Sequence, residues 1–350
     1  MPRLTGARRL VALPLTFAFL ASAACGGANR TPTTARGSAP APSSTVVPPG
    51  TELRIGEQGT FFQLPLRLSG QDQDFPYKTS YATFQGGPPL IEAFRAGAID
   101  FGIVGDTVLT TAQSSGQDIV AVAALENGGW GHGLVVPPGR ASAITSVKDL
   151  KGRKVAYPRG TSLQGFAVEV LQEEGLKESD VQRVQLAIPD VIGAIKSGDV
   201  DAGVLVEPAL STYLASTPGA RLLRDSTGVV SGLVYLVSSR RVLADPAKVA
   251  AIADYLGRLV RARTWVNANP EPWTKAYYVD LQKAPPAVAA QIMAKTGPSV
   301  FVPLDDHVVA KQQKLADLLT ATGVYPAPLD ARAEFDDRFN PVFPSTRPQS

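Results

Sequence analysis

The clearest pattern of apolar and polar residues lies at residues 81–107, YATFQGGPPLIEAFRAGAIDFGIVGDT. Leu90, Ile91 and Phe94 have the spacing of one buried helix face, and the two prolines before them suit a first helical turn, which needs no backbone donor. Gly97 can end that helix because glycine readily adopts a positive φ. The short apolar run AIDFGIV then predicts a buried strand.

A second copy of this pattern lies 101 residues downstream, at residues 188–208, IPDVIGAIKSGDVDAGVLVEP. At this constant offset, without a gap, Asp100 matches Asp201 and Asp106 falls opposite Glu207. Helix–glycine–strand units also look alike by chance, so that alternative stays open. Our interpretation is two similar α/β lobes, each sending an acidic loop from the end of a strand.

Open α/β sheets bind ligands outside the carboxyl ends of their strands, so two facing edges form a cleft. The predicted fold class is therefore α/β and two-lobed, with mixed sheets flanked by helices and a ligand cleft between the lobes. We assign residues 51–133 and 232–350 to lobe 1 and residues 134–231 to lobe 2. The glycine-rich run at residues 126–133 suits a hinge. Helical patterns after residue 245 are expected to pack on lobe 1 and across its back.

The first 24 residues have the composition of a signal peptide. Three arginines precede an apolar run from Leu10 to Leu20, which is short for a membrane span. Small residues then lead to Cys25, the single cysteine of the chain, in ASAACG, which resembles a bacterial lipobox. Cys25 is predicted to become the lipidated N-terminus of the mature protein. A plain secretory signal with an incidental cysteine is the alternative.

Residues 25–50 are rich in Ala, Pro, Ser, Thr and Gly. Such a segment has too few apolar residues to bury a core, so it is predicted to be a disordered tether. The tether would hold the folded part of the protein away from a membrane surface.

The charge of the chain changes once the signal segment is removed. The full chain has 34 basic and 31 acidic residues, and residues 1–24 contain three arginines and no acid, which leaves 31 of each. The sequence pI of 8.9 therefore comes from the signal segment. No basic patch with interleaved aromatic residues remains, so no nucleic-acid partner is predicted.

Motifs of the common enzyme and metal-binding classes are absent from the sequence. The two histidines, His132 and His307, are far apart, and no CxxC, HExxH, P-loop or GxSxG pattern occurs. We therefore predict a protein that is not an enzyme and uses no cofactor and no metal. A hydrolase that uses Asp106 and Glu207 as an acid pair is the enzymatic alternative, although binding clefts also hold such acids.

Two motifs carry a family resemblance. GPPLIEAFRAGAIDFGIVGDT is similar to the signature of the periplasmic solute-binding proteins for aliphatic sulfonates, taurine and nitrate, and DLKGRKVAYPRGTS at residues 149–162 is similar to their second signature. The resemblance covers roughly residues 53–269. It implies the type II periplasmic-binding-protein-like fold and an extracytoplasmic lipoprotein, anchored to the bacterial cell membrane, that serves an ABC importer.

Candidate ligand contacts lie where strands end or helices begin, because unpaired backbone N–H groups there favour an anion. In the family, the loop after the first strand also closes over one side of the ligand. Helix capping alone would explain many of these residues, and a lone loop histidine is more often structural, so both alternatives stay open. The candidates are Gln58, Gly59, Thr60, Phe61, Gly105, Asp106, Thr107, His132, Gly160, Thr161, Ser162 and Glu207.

The sequence departs from the family pattern in two places. Only residues 61–68, interrupted by Pro65, are available for the first helix, so one wall of the cleft is expected to be more open. The aromatic–Asp–Pro motif of the family is replaced by Val206-Glu207-Pro208, which predicts a less aromatic base of the cleft.

The predicted function is capture of a small anionic or zwitterionic solute, such as an aliphatic sulfonate, taurine or a nitrate-like ion. The predicted partners are this small molecule, an ABC permease with its ATPase subunit, and the membrane through the lipid anchor. A binder of a heterocycle or vitamin precursor is one alternative. A ligand-sensing lipoprotein that signals to a receptor is the other.

Overall fold

Two β-sheets with helices on their faces form the computed structural model, which describes residues 46–129 and 131–344. The strands, in chain order, are β1 (Glu52–Gln58), β2 (Lys78–Phe84), β3 (Phe101–Gly105), β4 (Ile119–Glu126), β5 (His132–Val136), β6 (Lys154–Ala156), β7 (Gln182–Val184), β8 (Ala202–Val206), β9 (Arg221–Asp225), β10 (Leu233–Ser239) and β11 (Val300–Val302). Strands β3 and β4 are buried along almost their whole length, which explains why both read as apolar runs.

Five strands have the same order in the two sheets, and β11 is an additional edge strand of the first sheet. The first sheet runs β11-β4-β10-β3-β1-β2 and the second runs β9-β5-β8-β6-β7. In each sheet, three parallel strands are followed by an antiparallel strand from another part of the chain, β10 in the first sheet and β5 in the second. The predicted α/β fold class with mixed sheets flanked by helices is confirmed.

The helices follow the predicted punctuation of glycine, proline and capping residues. They are α1 (Gln63–Leu68), α2 (Gly87–Arg95), α3 (Asp106–Ser114), α4 (Ser162–Glu173), α5 (Ile188–Ser197), α6 (Ala209–Ser216), α7 (Arg240–Leu243), α8 (Pro246–Ala268), α9 (Pro270–Thr274), α10 (Pro286–Thr296) and α11 (Asp306–Ala321), with a π-helix at Lys275–Leu281. Helix α1 has six residues, so the prediction of a short first helix is confirmed. Within the described ranges, no helix is both long and apolar enough to cross a lipid bilayer.

The 101-residue offset relates β3 to β8, and these two strands lie in different sheets. Each is preceded by an aspartate that accepts the backbone N–H of a neighbouring strand. Asp100 Oδ2 accepts from Arg54 N at 3.0 Å, and Asp201 Oδ2 accepts from Lys154 N at 2.9 Å. The repeated sequence therefore forms the same contact in both sheets, in which an aspartate before one strand accepts a hydrogen bond from the backbone of the neighbouring strand. We call this contact a strand junction.

The chain passes between the sheets twice, from β4 to β5 and from β9 to β10. The two crossovers touch at Gly129 and Gly232, which have φ of +77° and +72°. A Cβ atom on Gly232 would lie 2.8 Å from the backbone N of Gly129, so a larger residue there would push the crossovers apart.

Helix α4 of the second sheet packs against α3 and α11 of the first. A Cβ atom on Gly165 would lie 2.1 Å from Thr107 Oγ1, which shows how closely α4 approaches α3. Val168 joins Leu315 and Leu319 in one buried apolar cluster. Helix α10 contacts α6 elsewhere. The two sheets are therefore held together by helix contacts as well as by the crossovers.

Candidate functional site

A cavity of about 240 Å³ lies between the two sheets, beside the crossovers. One wall comes from the start of β5 and the end of β8, and the opposite wall comes from the end of β4 together with α8, α9, the π-helix and α10. We call it the intersheet cavity. Its lining residues include His132, Glu207, Arg263, Tyr277 and Met293.

Arg263, on α8, places a positive charge in the intersheet cavity. The residue is 8% exposed, and among the described residues it has no carboxylate partner and donates no hydrogen bond. Its guanidinium instead lies over the rings of Phe61, 5.1 Å away, and Trp273, 5.7 Å away. Burial lowers the pKa of Arg263 to about 10, so the group stays charged at neutral pH. A buried charge without a counter-ion is costly, and an anion in the cavity would offset that cost.

Aromatic side chains surround this guanidinium. Trp273 and Tyr277 stack with ring centroids 4.7 Å apart, and Tyr278 meets Tyr277 edge-on at 4.9 Å. Both tyrosines belong to the π-helix, a rare conformation that occurs often at functional sites. Burial raises the pKa of Tyr277 and raises that of Tyr278 to about 12, so both hydroxyls keep their protons and can donate. The intersheet cavity is therefore lined by aromatic residues, although Val206, the residue before Glu207, is not aromatic.

A smaller cavity of about 70 Å³ adjoins the intersheet cavity, and Asn127 and His132 line both. His132 begins β5, where the sequence predicted a loop, and its Nε2 lies 3.1 Å from Ser162 Oγ. Its Nδ1 is buried and has no hydrogen-bond partner in the described part of the chain. Burial lowers the pKa of His132 to about 4, so the neutral ring offers one donor and one acceptor at pH 7.

The candidates from the first loop lie at the end of β1. Gln58 donates its Nε2 to the Ile103 carbonyl at 3.1 Å, and Gly59 forms the turn that follows. Thr60 Oγ1 is buried without a hydrogen-bond partner among the described residues. Phe61 is the member of this loop that lines the intersheet cavity.

The candidates at the start of α3 are engaged in internal contacts. Gly105 packs against Ser162, since a Cβ atom on it would lie 3.2 Å from Ser162 Cβ. Asp106 Oδ1 accepts the Thr107 N–H at 2.6 Å, and its Oδ2 accepts the Ser231 hydroxyl at 2.5 Å. Burial raises the pKa of Asp106. These hydrogen bonds tie the start of α3 to the crossover that returns from the second sheet.

The candidates at the start of α4 show a similar arrangement. The Gly160 N–H donates to Gln164 Oε1 at 2.7 Å, and Thr161 Oγ1 donates to the Pro158 carbonyl at 2.8 Å. Both residues are buried, whereas Ser162 lines the smaller cavity.

Glu207, at the end of β8, accepts from Ser211 of α6, through the backbone N at 3.2 Å and the hydroxyl at 2.8 Å. Burial raises its pKa. The Glu207 carboxylate therefore accepts hydrogen bonds from α6 and also lines the intersheet cavity.

The structure thus divides the candidates into three groups. The intersheet cavity is lined by Phe61, His132 and Glu207, and the smaller cavity by Gly105, Asp106, His132 and Ser162. Neither cavity is lined by Gln58, Gly59, Thr60, Thr107, Gly160 or Thr161. Contact with a ligand stays a prediction for all of them, and Cys25 lies outside the described residues. In the described ranges, no group of three or more His, Cys, Asp or Glu side chains could hold a metal ion.

The candidates predicted from the sequence do not include Arg263 or the aromatic residues Trp273, Tyr277 and Tyr278 near it. The signal for Arg263 is present, because Leu256, Leu259 and Val266 share its helical face and are buried. An arginine inside the apolar stripe of a long helix is unusual and indicates a special role. No comparable signal marks Tyr277 or Trp273, since the sequence does not indicate which way their helix faces.

The sequence of this chain is similar to a known protein family. The NMT1/THI5-like family model matches residues 85–262. An aliphatic sulfonates-binding protein of Escherichia coli (strain K12) is 31% identical over 284 residues, which is 80% of this chain and 87% of that relative. The predicted resemblance to the aliphatic sulfonate group is confirmed.

Two solved structures share the fold over most of the chain. The alkanesulfonate-binding protein SsuA from Xanthomonas axonopodis pv. citri, bound to MOPS, has a TM-score of 0.74 at 29% identity, covering 82% of this chain and 99% of that one. The periplasmic aliphatic sulphonate binding protein SsuA from Escherichia coli has a TM-score of 0.70 at 29% identity, covering 83% and 100%. The chain therefore has the periplasmic-binding-protein fold and belongs to the NMT1/THI5-like family.

Proposed function

We propose that this protein captures an aliphatic sulfonate outside the cytoplasm and presents it to an ABC permease that works with an ATPase subunit. The named relatives are sulfonate-binding proteins, two of them with solved structures. The observation that carries the proposal is the guanidinium of Arg263, which lines the intersheet cavity and has no carboxylate partner among the described residues. The role is binding, and no catalytic step is part of it.

The chemistry of a sulfonate suits the groups that line the cavity. Its three oxygens are acceptors, and a guanidinium can donate two parallel charge-assisted hydrogen bonds to such a group. Tyr277, Tyr278 and His132 supply neutral donors around the same space. The carbon part of the ligand would contact Phe61 or Met293, so the cavity pairs one charged end with apolar surface.

Replacement of Arg263 by methionine tests this proposal. Methionine keeps an unbranched apolar stem, is shorter than arginine and removes the charge. We expect affinity for ethanesulfonate to fall by about 100-fold or more, the equivalent of two charge-assisted hydrogen bonds of about 1.5 kcal/mol each. The free energy of unfolding in the absence of ligand should not fall, because the variant no longer buries an unpaired charge. Isothermal titration calorimetry and urea unfolding measure the two quantities.

Arg258, on the same helix, is the matched control. It pairs with Asp254 at 2.8 Å, donates to the Gln71 and Gln73 carbonyls, and lies 4.4 Å from the Phe75 ring centroid. Arg258→Met should lower stability and leave affinity within about twofold of the wild type. Unchanged ethanesulfonate affinity in Arg263→Met would contradict the proposal.

A flat heterocycle is the second candidate ligand, because the stacked pair of Trp273 and Tyr277 could extend over an aromatic ring. Such a ligand should quench tryptophan fluorescence and should bind Arg263→Met as well as the wild type. Arg263 disfavours a cationic ring, so a neutral heterocycle fits this alternative best.

Attachment to the membrane through Cys25 belongs to the same proposal. The lipobox-like ASAACG motif supports it. Cys25→Ala should leave the protein unprocessed or released into the medium, as membrane fractionation and intact mass would show. An unchanged mass and membrane fraction would contradict lipidation.

A further inference from the structure

An apolar groove of about 770 Å³ lies beside the intersheet cavity, between α9, the π-helix and α10. We call it the α10 groove. Its apolar lining includes Val279, Pro286, Ala290, Met293, Ala294 and Pro298. Two charged residues also line it. The ammonium of Lys275 lies 2.6 Å from Asp280, so this charge is paired, and Glu271 is exposed to solvent. Apolar grooves of this size on a protein surface usually bind something.

The groove and the intersheet cavity share part of their walls. Asn267, Met293 and Gly297 line both. Gly297 has no side chain, and methionine is unbranched and changes rotamer readily, so this partition is thin and adaptable. The π-helix also serves both spaces, since it contributes Tyr277 to the cavity and Val279 to the groove.

Helix α10 leaves room along the groove by carrying small residues. Ala290 and Ala294 lie one turn apart on the face that lines the groove. The neighbouring Gln291 is exposed and lines neither space. The available volume is therefore a consequence of two specific alanines.

We propose that the α10 groove is a second compartment of the ligand site, which takes the unbranched alkyl chain of an organic anion whose head group pairs with Arg263. The inference rests on the proposed function. The separation of charged and apolar surface supports this proposal, because the cationic side chain of Arg263 lines the intersheet cavity and the α10 groove offers apolar surface. Met293 is the movable wall that lets a chain pass from one space into the other.

Affinity should then depend on chain length. Each methylene that enters the groove is expected to raise affinity by up to about fourfold, until the groove is filled. Longer chains should also give a more negative heat-capacity change of binding, which is the signature of buried apolar surface.

Titration calorimetry with methane-, butane- and octane-1-sulfonate tests this on the purified protein. Ala290→Trp places an indole ring in the groove and should weaken octane-1-sulfonate binding by about tenfold or more, with methanesulfonate affinity unchanged. Gln291→Trp is the matched control on the same helix and should match the wild type for all three ligands.

The two proposals fail in different ways. If affinity is independent of chain length, or if Ala290→Trp weakens all three sulfonates equally, the second compartment is wrong. If Ala290→Trp leaves every affinity unchanged and abolishes uptake in cells, the groove is a protein-docking surface and the compartment is again wrong. If methanesulfonate binds equally well to Arg263→Met, the proposed function fails whatever the groove does.

Discussion

The ends of β3 and β8 occupy the same place in the 101-residue repeat, but their acidic residues have different surroundings. Asp106 is buried and holds Ser231 of the returning crossover. Glu207 faces the intersheet cavity and accepts hydrogen bonds from Ser211 of its own helix. The repeat therefore specifies where a strand ends and a helix begins, and the surroundings decide what the acid at that point does.

The aspartates that precede β3 and β8, Asp100 and Asp201, also have different surroundings. Asp100 is 2% exposed at its side chain and pairs with Arg54 at 2.6 Å and Lys248 at 2.8 Å. Burial acts to raise the pKa of Asp100, but hydrogen bonds from Arg54 and Lys248 outweigh it, and the pKa is lowered. Asp201 pairs with Arg140, whose side chain is 50% exposed. The first junction is thus a buried ion-pair cluster, and the second lies near the surface.

Alanine substitution of the two aspartates should give the largest effect. Asp100→Ala leaves two cations without their partner and is expected to cost about 3–5 kcal/mol of unfolding free energy. Asp201→Ala removes a half-exposed pair and one acceptor and should cost about 1–2 kcal/mol. Urea unfolding at neutral pH measures both values. Equal losses would show that the junctions are energetically equivalent despite their different burial.

Many helix and strand boundaries could be predicted from the sequence because they depend on local interactions. Gly198 ends α5 with a positive φ, and Asp245 accepts the Ala247 N–H at the start of α8, as turn and capping chemistry predict. The aromatic and cationic wall could not be predicted in this way, because Arg263 and Tyr277 come from elements with no counterpart in the repeat. Their positions depend on how α8 and the π-helix pack, which is a tertiary property.

The contact between the sheets can be tested at Gly165. Gly165→Ala places a methyl group against Thr107 Oγ1, so α4 must move away from α3. Overpacking of this kind costs about 1–3 kcal/mol, and we expect ethanesulfonate affinity to fall by about tenfold if ligand binding needs both sheets in this arrangement. Calorimetry and small-angle scattering would measure affinity and compactness.

Gly193→Ala is the control for this substitution, because Gly193 lies in α5 with open space around it. It should stabilise the protein by about 0.5–1 kcal/mol through helix propensity. Adding Thr107→Ala to Gly165→Ala removes the clashing hydroxyl and should restore affinity. Wild-type affinity in the single variant would show that this contact is dispensable for binding.

Glu334, in the C-terminal part of the described chain, is a buried acid whose titration should make the stability of the protein depend on pH. Glu334 is 1% exposed and accepts from Gln312 Nε2 at 2.7 Å, and burial raises its pKa from an ordinary 4.5 to about 8. The folded state therefore binds this proton more tightly than the unfolded state. Its contribution to stability is present below about pH 4.5 and is lost as pH rises to about 8.

Glu334→Gln should make the loss of unfolding free energy between pH 6 and 7 smaller by about 1 kcal/mol. Some slope should remain, because burial also raises the pKa of Glu169 to about 8. Glu174→Gln, at a half-exposed position just after α4, is the matched control. Urea unfolding across this pH range measures the slope, and an unchanged slope in Glu334→Gln would show that another group titrates there.

The smallest expected effect is a change in ligand affinity that should differ between Glu207 and Asp106, the acids at the ends of β8 and β3. Propane-1-sulfonate and taurine have similar size and the same sulfonate, but taurine ends in an ammonium group. Glu207 lines the intersheet cavity with Arg263, so its carboxylate can accept from that ammonium. Glu207→Gln should weaken taurine binding by about threefold to fivefold, as for one partly solvated ion pair, and leave propane-1-sulfonate within about twofold.

Asp106→Asn is the counterpart on the first sheet. Its carboxylate is engaged by Ser231 and Thr107, so this change should affect both ligands equally, through the crossover and not through contact with the ammonium. Calorimetric ratios of the two affinities isolate the effect, because losses common to both ligands cancel. A taurine-specific loss in Asp106→Asn, or none in Glu207→Gln, would reverse the assignment of roles to the two ends of the repeat.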